Sequence, residues 1–360
     1  MNGTNSMRLY FGTYPHDIAE FPEEGIWYAS LDASSAQITD LQQKVELSSP
    51  SFITWDRDHS SVIAVSENPE GELTELAVTD EELEIVARVS TRGAHPCHVI
   101  VAGGQAIVTN YGSGSVFSQQ LPLTHDSQSA SGRNFQQTGT GPVADRQEGP
   151  HAHFAGQLPG SQYVWVTDLG ADRIFRYAIS QDSNGAPNLD ALGSAVEFPG
   201  GMGPRHIACG LNGHAYVVGE LDGKVYTVAY STADGSGQIV WDGLLLEDTE
   251  QEYWASHVEL SADQERLYVA LRGVDQVVVF DVVDDGSLRR IASAPVIGAW
   301  PRHFRVIEGT DALAGHDIIV VANQNSHTVD VLSFDATRRE FSERTSVRLP
   351  SPACVLPIEA

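Results

Sequence analysis

The chain has 360 residues, of which 48 are acidic and 21 are basic, and its formal net charge is −27. Such a charge argues against nucleic acid and anionic membranes as partners, because both require a basic face on the protein. The sequence has no apolar run of 18 residues and no basic-then-apolar leader pattern, so we expect no membrane span and a cytoplasmic location.

The first predicted elements are two strands, MRLYFGTY and GIWYASL, and they begin in the middle of a repeating pattern. That pattern is a short phrase in which a Pro or small residue precedes a His or small apolar residue, followed by an apolar strand. Seven copies start 45 to 54 residues apart, at Ser49, His95, Gly149, Gly203, Ala255, Trp300 and Ser351. A period of this length, built from short strands, is typical of a β-propeller with one four-stranded blade per repeat.

Cys97, Cys209 and Cys354 are the three cysteines, and each lies within a repeat phrase. Their odd number and their positions on apolar strands predict free thiols in a reducing compartment. A disulfide between neighbouring blades is the less favoured alternative.

The longest irregular stretch runs from Leu121 to Glu148 and leads directly into a repeat phrase. Loops of this length are uncommon in compact domains unless they are functional or disordered. We therefore expect this segment to cover the channel mouth, with Arg146–Glu148 held at the binding pocket.

The later repeats follow the same plan of strands and polar turns. ASHVEL is followed by LYVAL, QVVVF and an outer strand, and WPRHFRV is followed by DIIVVAN and HTVDVLSF. Alternating apolar residues and Asp- and Gly-containing turns are typical of meandering antiparallel strands. The last phrase leaves room for only one strand, which we expect to pair with the N-terminal strands and close the ring.

These observations predict an all-β, seven-bladed β-propeller with four-stranded antiparallel blades. We expect one domain over residues 1–360, with residues 1–6 frayed.

Eleven motifs, in order, resemble the lactonase family of seven-bladed propellers, which includes 6-phosphogluconolactonases and a fungal carboxymuconate lactonizing enzyme. They are FGTY, PSFI, PCHV, TNYGSGSV, RQEGPHAH, TDLGADRI, GPRH, GEL, LRG, WPRHF and VANQNS. The resemblance covers nearly the whole chain and implies lactone chemistry. It also implies four catalytic residues, namely His151, Arg205, Glu220 and Arg272. Gly219, Ala270 and Leu271 replace polar residues that are frequent in the family, which leaves the exact substrate open.

Lactone hydrolysis requires a base that activates water and donors aimed at the developing oxyanion. His151 suits the first task near neutral pH, and Glu220 can orient it or act as the base. Arg205 and Arg272 can stabilise the oxyanion or hold an anionic group.

Further candidate substrate-binding residues lie in the repeat phrases, the turns and the segment before His151. They are Arg146, Glu148, His153, His206, His257, Arg302, His303, Asn323, Gln324 and Asn110. Each histidine has a structural alternative, in which it hydrogen-bonds the backbone of an adjacent blade. For Asp168, Asp172 and Arg173 we favour a strand-to-strand turn that contains an Asp–Arg pair.

The sequence therefore predicts a hydrolase of an anionic sugar lactone, first of all 6-phosphogluconolactone. The alternatives are an enzyme for an aldonolactone or a muconolactone-type compound, and a non-catalytic ligand-binding propeller. We expect no cofactor and no metal, with a divalent metal at a His-x-His pair as the alternative. We expect a monomer or a weak homodimer.

Overall fold

Seven antiparallel sheets of four strands make up the protein. A computed structural model describes residues 6–79, 82–124, 132–247 and 249–358. Apart from the strands, the described residues form one short 3₁₀ helix, Asp311–Leu313. None of their helices is long and apolar enough to cross a membrane. The predicted seven-bladed β-propeller is confirmed.

The chain divides into two compact units, Met1–Ser51 with Glu247–Ala360 and Phe52–Leu246. The first unit contains three sheets. Their strands are β1 (Ser6–Thr13), β2 (Gly25–Asp32), β3 (Gln37–Glu46) and β28 (Pro352–Ile358); β20 (Trp254–Leu260), β21 (Arg266–Arg272), β22 (Gln276–Val282) and β23 (Leu288–Pro295); and β24 (Pro301–Glu308), β25 (His316–Asn323), β26 (Thr328–Asp335) and β27 (Glu340–Arg348).

The second unit contains four sheets, each formed by four consecutive strands. They are β4 (Phe52–Asp56), β5 (Ser61–Ser66), β6 (Glu72–Val78) and β7 (Leu83–Ser90); β8 (Pro96–Ala102), β9 (Gln105–Asn110), β10 (Ser115–Gln120) and β11 (Arg133–Gln136); β12 (Ala152–Gln157), β13 (Tyr163–Asp168), β14 (Arg173–Gln181) and β15 (Pro187–Glu197); and β16 (Pro204–Cys209), β17 (His214–Gly219), β18 (Lys224–Tyr230) and β19 (Gly237–Leu244). The expectation of one domain stays a prediction, and residues 1–5 of the segment expected to fray lie outside the described residues.

The terminal strands share one blade, as the sequence predicts. β1 pairs with β28 on one side and with β2 on the other, both antiparallel. This pairing gives β1 a partner on both sides, whereas β28 forms one edge of the four-stranded sheet.

Burial follows the position of a strand within its blade. The second strands β5, β9 and β13 are buried at every residue, and their sequences are rich in Val, Ile and Ala. The outer strand β19 alternates between partly buried and exposed residues, as a strand with one solvent face does. The apolar cores form within each unit, where facing sheets pack side chains such as Trp165, Val217 and Tyr226.

The blades share a register that refines the repeat. In five blades the first or second residue of the first strand pairs with the last residue of the second strand or, in the blade of β20–β23, with its last residue but one. These pairs are Pro96–Asn110, Ala152–Asp168, Pro204–Gly219, Ala255–Leu271 and Pro301–Asn323. In the phrases that start at His95, Gly203 and Trp300, this residue of the first strand is the second of the phrase. The equivalent phrases therefore start at His151 and Trp254, and the predicted starts at Gly149 and Ala255 are wrong.

A register shift follows that pair in each of these five blades. Such bulges leave a residue out of the ladder and redirect its side chain. The residues at this third position are Cys97, His153, Arg205, Ser256 and Arg302. Three of these bulge residues, His153, Arg205 and Arg302, are candidate site residues. The bulge therefore places charged and polar side chains near the start of the first strand of the blade.

Candidate functional site

A buried carboxylate clamped by two arginines is the centre of the candidate site in the second unit. Glu220 directly follows β17, and its Oε2 lies 2.9 Å from Nε of Arg205, at the bulge of β16. Its Oε1 lies 2.5 Å from Nη2 of Arg146, in the segment before β12. We call these three residues the Glu220 cluster.

The Glu220 cluster is closed on one side and open on the other. The Arg205 and Glu220 side chains are 2% and 5% exposed, whereas Arg146 is 36% exposed. Burial alone would lower the pKa of Arg146, but the Glu220 carboxylate outweighs it and the pKa is raised. Two guanidinium groups share one carboxylate, so the cluster carries a surplus positive charge that Arg146 presents to solvent.

His151 lies beside this cluster with a defined tautomer. Its Nδ1 is 3.0 Å from the Tyr111 carbonyl oxygen, which can only accept, so Nδ1 carries the proton. Nε2 lies 3.3 Å from Oε1 of Glu148, a carboxylate oxygen that only accepts, so this contact is a hydrogen bond when Nε2 carries a proton. Nε2 holds the lone pair that a general base requires when the ring is neutral and this contact with Glu148 is given up.

Tyr111 connects His151 to the Glu220 cluster. Its ring stacks on the His151 ring at a centroid distance of 4.5 Å and an interplanar angle of 16°. Burial raises the pKa of the Tyr111 phenol, and a side-chain hydrogen bond with Arg146 only partly offsets that rise. Tyr111 thus stays a neutral phenol in contact with both groups.

Asp168 fixes the backbone of His151. Its Oδ1 accepts hydrogen bonds from the amides of His151 (2.7 Å), Gly170 (3.0 Å) and Ala171 (3.0 Å). Burial raises the pKa of Asp168 to about 6, against the lowering effect of these hydrogen bonds. The start of β12 is therefore held by one buried carboxyl group.

Three other histidines of this unit, His98, His153 and His206, have neighbouring rings. His206 Nε2 lies 3.1 Å from Nη1 of Arg205, and because guanidinium only donates, this ring is a neutral acceptor. The His153 ring lies 5.3 Å from that of His206. His98 Nδ1 accepts from the amide of Ala155 in the next blade, which confirms the structural alternative for His98.

The first unit holds the remaining predicted arginines and histidines. Arg272 donates to the Ala255 carbonyl at 3.2 Å and lies 5.5 Å from the centre of the Trp300 ring. Arg302 lies 2.5 Å from the Tyr14 hydroxyl.

The two histidines of the first unit stack on each other, with ring centroids of His257 and His303 4.0 Å apart. His303 Nδ1 accepts from the amide of Val355, a contact between neighbouring blades. This is the backbone hydrogen bond that the structural alternative predicts for His303, and contact of His303 with substrate stays a prediction.

The predicted polar turn residues serve to hold turns. Asn110 donates to the Thr91 carbonyl and to Ser115, and Asn323 donates to Thr328. Both asparagines are fully buried, and each ends the second strand of its blade. The backbone amide of Gln324 donates to the Trp300 carbonyl. Contact of these three residues with substrate stays a prediction.

The structure corrects two other expectations. Arg173 pairs with Glu197 at 3.3 Å, so the predicted Asp–Arg pair within the turn is wrong. The stretch from Leu121 to Glu148 contains the outer strand β11, so it is not wholly irregular. Residues 125–131 of that stretch lie outside the described residues, whereas its end is held at the site through Arg146 and Glu148, as expected.

In the part of the chain that the structure describes, no group of three or more His, Cys, Asp or Glu could hold a metal ion. The three cysteines are free thiols.

Tyr111 is the site residue that the candidate list misses. It follows Asn110 at the end of β9, just as Glu220 follows Gly219 at the end of β17. Aligning the ends of the second strands, rather than the repeat phrases alone, reveals this equivalence.

Comparison with known proteins gives a consistent result. The 6-phosphogluconolactonase of Bacillus subtilis (strain 168) is 29% identical over 357 residues, which cover 96% of this chain and 97% of that protein. The structure of a periplasmic gluconolactonase from Pseudomonas aeruginosa is 26% identical, has a TM-score of 0.85, and covers 98% of this chain and 99% of its own. The structure of a protein from Lactobacillus plantarum is 25% identical, has a TM-score of 0.86, and covers 98% and 100%.

Residues 8–357 match the model of the family described as lactonase, 7-bladed beta-propeller. This match and the names of the relatives support a lactone-hydrolysing enzyme. The chain belongs to the lactonase family of seven-bladed β-propellers.

Proposed function

We propose that this protein hydrolyses a six-carbon sugar lactone, with 6-phosphogluconolactone as the first substrate to test. The observation that carries the proposal is the Glu220 cluster beside His151, whose Nδ1 donates to the Tyr111 carbonyl and whose Nε2 faces Glu148. Sequence similarity to the Bacillus subtilis 6-phosphogluconolactonase over almost the full chain supports the choice of substrate.

His151 is the proposed general base. Its Nε2 takes a proton from water as the water oxygen forms a bond to the lactone carbonyl carbon. The ring C–O bond of the tetrahedral intermediate then breaks, and the proton on Nε2 passes to the leaving alkoxide. Water, lactone and His151 account for every proton and electron pair in this reaction, and proton transfer by such a base contributes about 10²- to 10⁴-fold.

Arg146 and Arg205 are the proposed donors to the developing oxyanion or to the anionic group of the substrate. Preorganised cationic donors in a water-poor site stabilise charge that develops in the transition state. We assign to Glu220 the task of aligning both guanidinium groups, because each of its oxygens already forms an ion pair with one of them. A carboxylate paired in this way is a poor base, so we prefer His151 for that role.

Arg272 is kept as a proposed catalytic residue by family resemblance. It occupies the position in its blade that Glu220 occupies in the blade of β16–β19, since Leu271 and Gly219 pair equivalently. Arg302, His257 and His303 remain proposed substrate-binding residues.

Unphosphorylated gluconolactone is the second candidate substrate. Both arginines of the Glu220 cluster share their charge with Glu220, and Glu148 adds a carboxylate beside His151. Glu148 thus offsets the surplus positive charge of the Glu220 cluster, which leaves little positive charge for a phosphate dianion beside His151. The similarity to a structure named gluconolactonase points the same way.

The experiment measures initial rates of lactone opening at about pH 6.5 with both lactones, for the wild type and for His151→Ala. His59→Ala is the control, since His59 pairs with Asp56 and contacts none of the site residues described above. Loss of activity in His151→Ala alone supports the proposal. Wild-type rates no faster than the uncatalysed reaction on both lactones contradict it. Preference for one lactone decides between the two substrates.

A further inference from the structure

Asp172 is a buried carboxylate that accepts three hydrogen bonds from two different segments of the chain. Its Oδ1 accepts from Nε2 of Gln147 (2.7 Å) and from the amide of Gly203 (2.7 Å). Its Oδ2 accepts from the amide of Gly201 at 2.7 Å. Asp172 is 6% exposed, so these short contacts are sheltered from water.

Gln147 links Asp172 to the segment that carries Arg146. The Gln147 residue is fully buried, and its Nε2 also donates to the Leu169 carbonyl at 2.9 Å. Its Oε1 accepts from the amide of Val143 at 3.1 Å, which closes the segment on itself. Gln147 therefore anchors the segment between the half-buried Arg146 and the exposed Glu148, which contact Glu220 and His151 respectively.

Gly201 and Gly203 link Asp172 to the segment that carries Arg205. Gly203 has a φ of 62°, and a Cβ there would lie 2.6 Å from Cγ of Leu221. Only glycine meets both conditions without strain. The amide of Gly203 therefore reaches Asp172 two residues before Arg205, at the entrance to the bulge.

We propose that Asp172 is a positioning residue for the Glu220 cluster. It sets Arg146 through Gln147 and sets Arg205 through Gly201 and Gly203, so that both guanidinium groups meet Glu220. A turn needs only local hydrogen bonds, whereas all three of these reach segments 25 to 31 residues away in sequence. A buried carboxylate that accepts only from neutral donors loses solvation, and here it orders two loops in return.

The catalytic consequence rests on the proposed function, because it assumes that the Glu220 cluster acts on a lactone. A displacement of about 1 Å in a positioned catalytic group can lower a rate by about 10²-fold. Asp172→Ala removes all three acceptor contacts, whereas Asp172→Asn keeps the oxygen that faces Gln147 and Gly203.

The first readout is kinetic. We expect Asp172→Ala to lower kcat/KM for lactone opening by about 100-fold, mainly through kcat, and Asp172→Asn to recover most of that loss. Asp56→Ala is the matched control, since Asp56 is also buried and accepts from the Asp58 amide and from His59. It should lower stability and leave kcat/KM within about twofold of the wild type.

The second readout does not depend on activity. Arg146→Ala should lower the urea midpoint in the wild-type background and have no effect on it in the Asp172→Ala background, where Arg146 no longer meets Glu220. If the effect of Arg146→Ala on the urea midpoint disappears in the Asp172→Ala background, the positioning role is supported even if the wild type opens no lactone. In that case the proposed function alone fails.

The proposal is overturned if the Arg146→Ala shift is equal in both backgrounds. It is equally overturned if Asp172→Ala lowers stability but keeps wild-type kcat/KM. If Asp172→Ala does not fold, Gln147→Ala takes its place in both measurements. That variant keeps the contacts of Asp172 with Gly201 and Gly203, and the same two outcomes then decide.

Discussion

Two buried arginine–carboxylate clusters, one in each unit, use the same chemistry with opposite stoichiometry. In the Glu220 cluster of the second unit, two arginines share one carboxylate. In the first unit, Arg266 alone contacts Asp317 at 2.7 Å and Asp263 at 2.8 Å, and the Tyr268 hydroxyl also donates to Asp317. We call these four residues the Arg266 cluster.

The difference in stoichiometry distinguishes the proposed reactive site from a cluster to which we assign a structural role. The Arg266 cluster has surplus negative charge, and its one guanidinium is satisfied from two sides. The Glu220 cluster has surplus positive charge, and Arg146 brings part of it to solvent. Burial of an ion pair is therefore no sign of function by itself, whereas a partly exposed surplus of positive charge beside a histidine supports a functional assignment.

The largest expected effect concerns the base beside the Glu220 cluster. His151→Gln should lower kcat for lactone opening by about 10²- to 10⁴-fold, because the amide cannot take a proton from water. KM should change little, since the arginines remain in place. Steady-state kinetics on the preferred lactone measure both constants, and a kcat within threefold of the wild type would exclude His151 as the base.

Next in size is the stability effect of breaking the Arg266 cluster. Arg266→Met leaves the buried Asp317 and the exposed Asp263 without their cation, and the loss at Asp317 should cost about 3–5 kcal/mol of unfolding free energy. The value of kcat/KM should stay within twofold, because this cluster has no part in the proposed reaction. Urea denaturation followed by circular dichroism gives the first quantity. A large kinetic loss in a folded Arg266→Met protein would mean that the two clusters do not differ as described.

Asp168 offers a pH-dependent comparison of similar size. Burial raises its pKa from 3.8 to about 6, so between these pH values the folded protein binds more protons than the unfolded one. The contribution of Asp168 to the unfolding free energy should therefore fall as pH rises through this window and level off above it, a change of about 3 kcal/mol.

Asp168→Asn keeps the oxygen that accepts from His151 and removes the titration. Subtracting its unfolding free energy from that of the wild type between pH 4 and pH 7 isolates Asp168 from the other acidic groups. The difference should fall by about 3 kcal/mol. A difference that is constant over this range would show that Asp168 titrates normally.

The smallest expected effect is that of Arg146→Lys. Lysine keeps the charge but cannot reproduce the planar fork of the guanidinium group. We expect KM for an anionic lactone to rise about tenfold, with a smaller effect on kcat. If KM rises equally for gluconolactone, Arg146 acts on the ring or the oxyanion and not on the phosphate.

The fold was predictable because the repeat phrase occurs seven times. In every copy, the strand alternation and the turn residues indicate the same antiparallel blade. The phrase register was less accessible: Pro150 resembles the second residue of the other phrases, yet Ala152 takes that place in β12. A local bulge and an extra two residues cannot be read from apolar alternation alone.

The site was predictable in part. His151, Glu220, Arg205 and Arg146 could be named from family motifs and residue type, but their mutual contacts join positions up to 74 residues apart. Tyr111, Gln147 and Asp172 act through a ring stack, a buried amide and backbone acceptors, and a single sequence gives no pattern for such contacts. Two histidines of the repeat, His98 and His303, instead accept hydrogen bonds from the backbone of neighbouring blades.

The most direct test of the central claim is the value of kcat/KM for lactone opening by Glu220→Gln, measured beside Arg266→Met and the wild type. In Glu220→Gln the new amide places its donors against a guanidinium group, which also only donates, so the two arginines separate. We expect kcat/KM to fall by at least about tenfold in Glu220→Gln and to stay within about twofold of the wild-type value in Arg266→Met. Wild-type kcat/KM in a folded Glu220→Gln protein would contradict the assignment of the reaction to the Glu220 cluster.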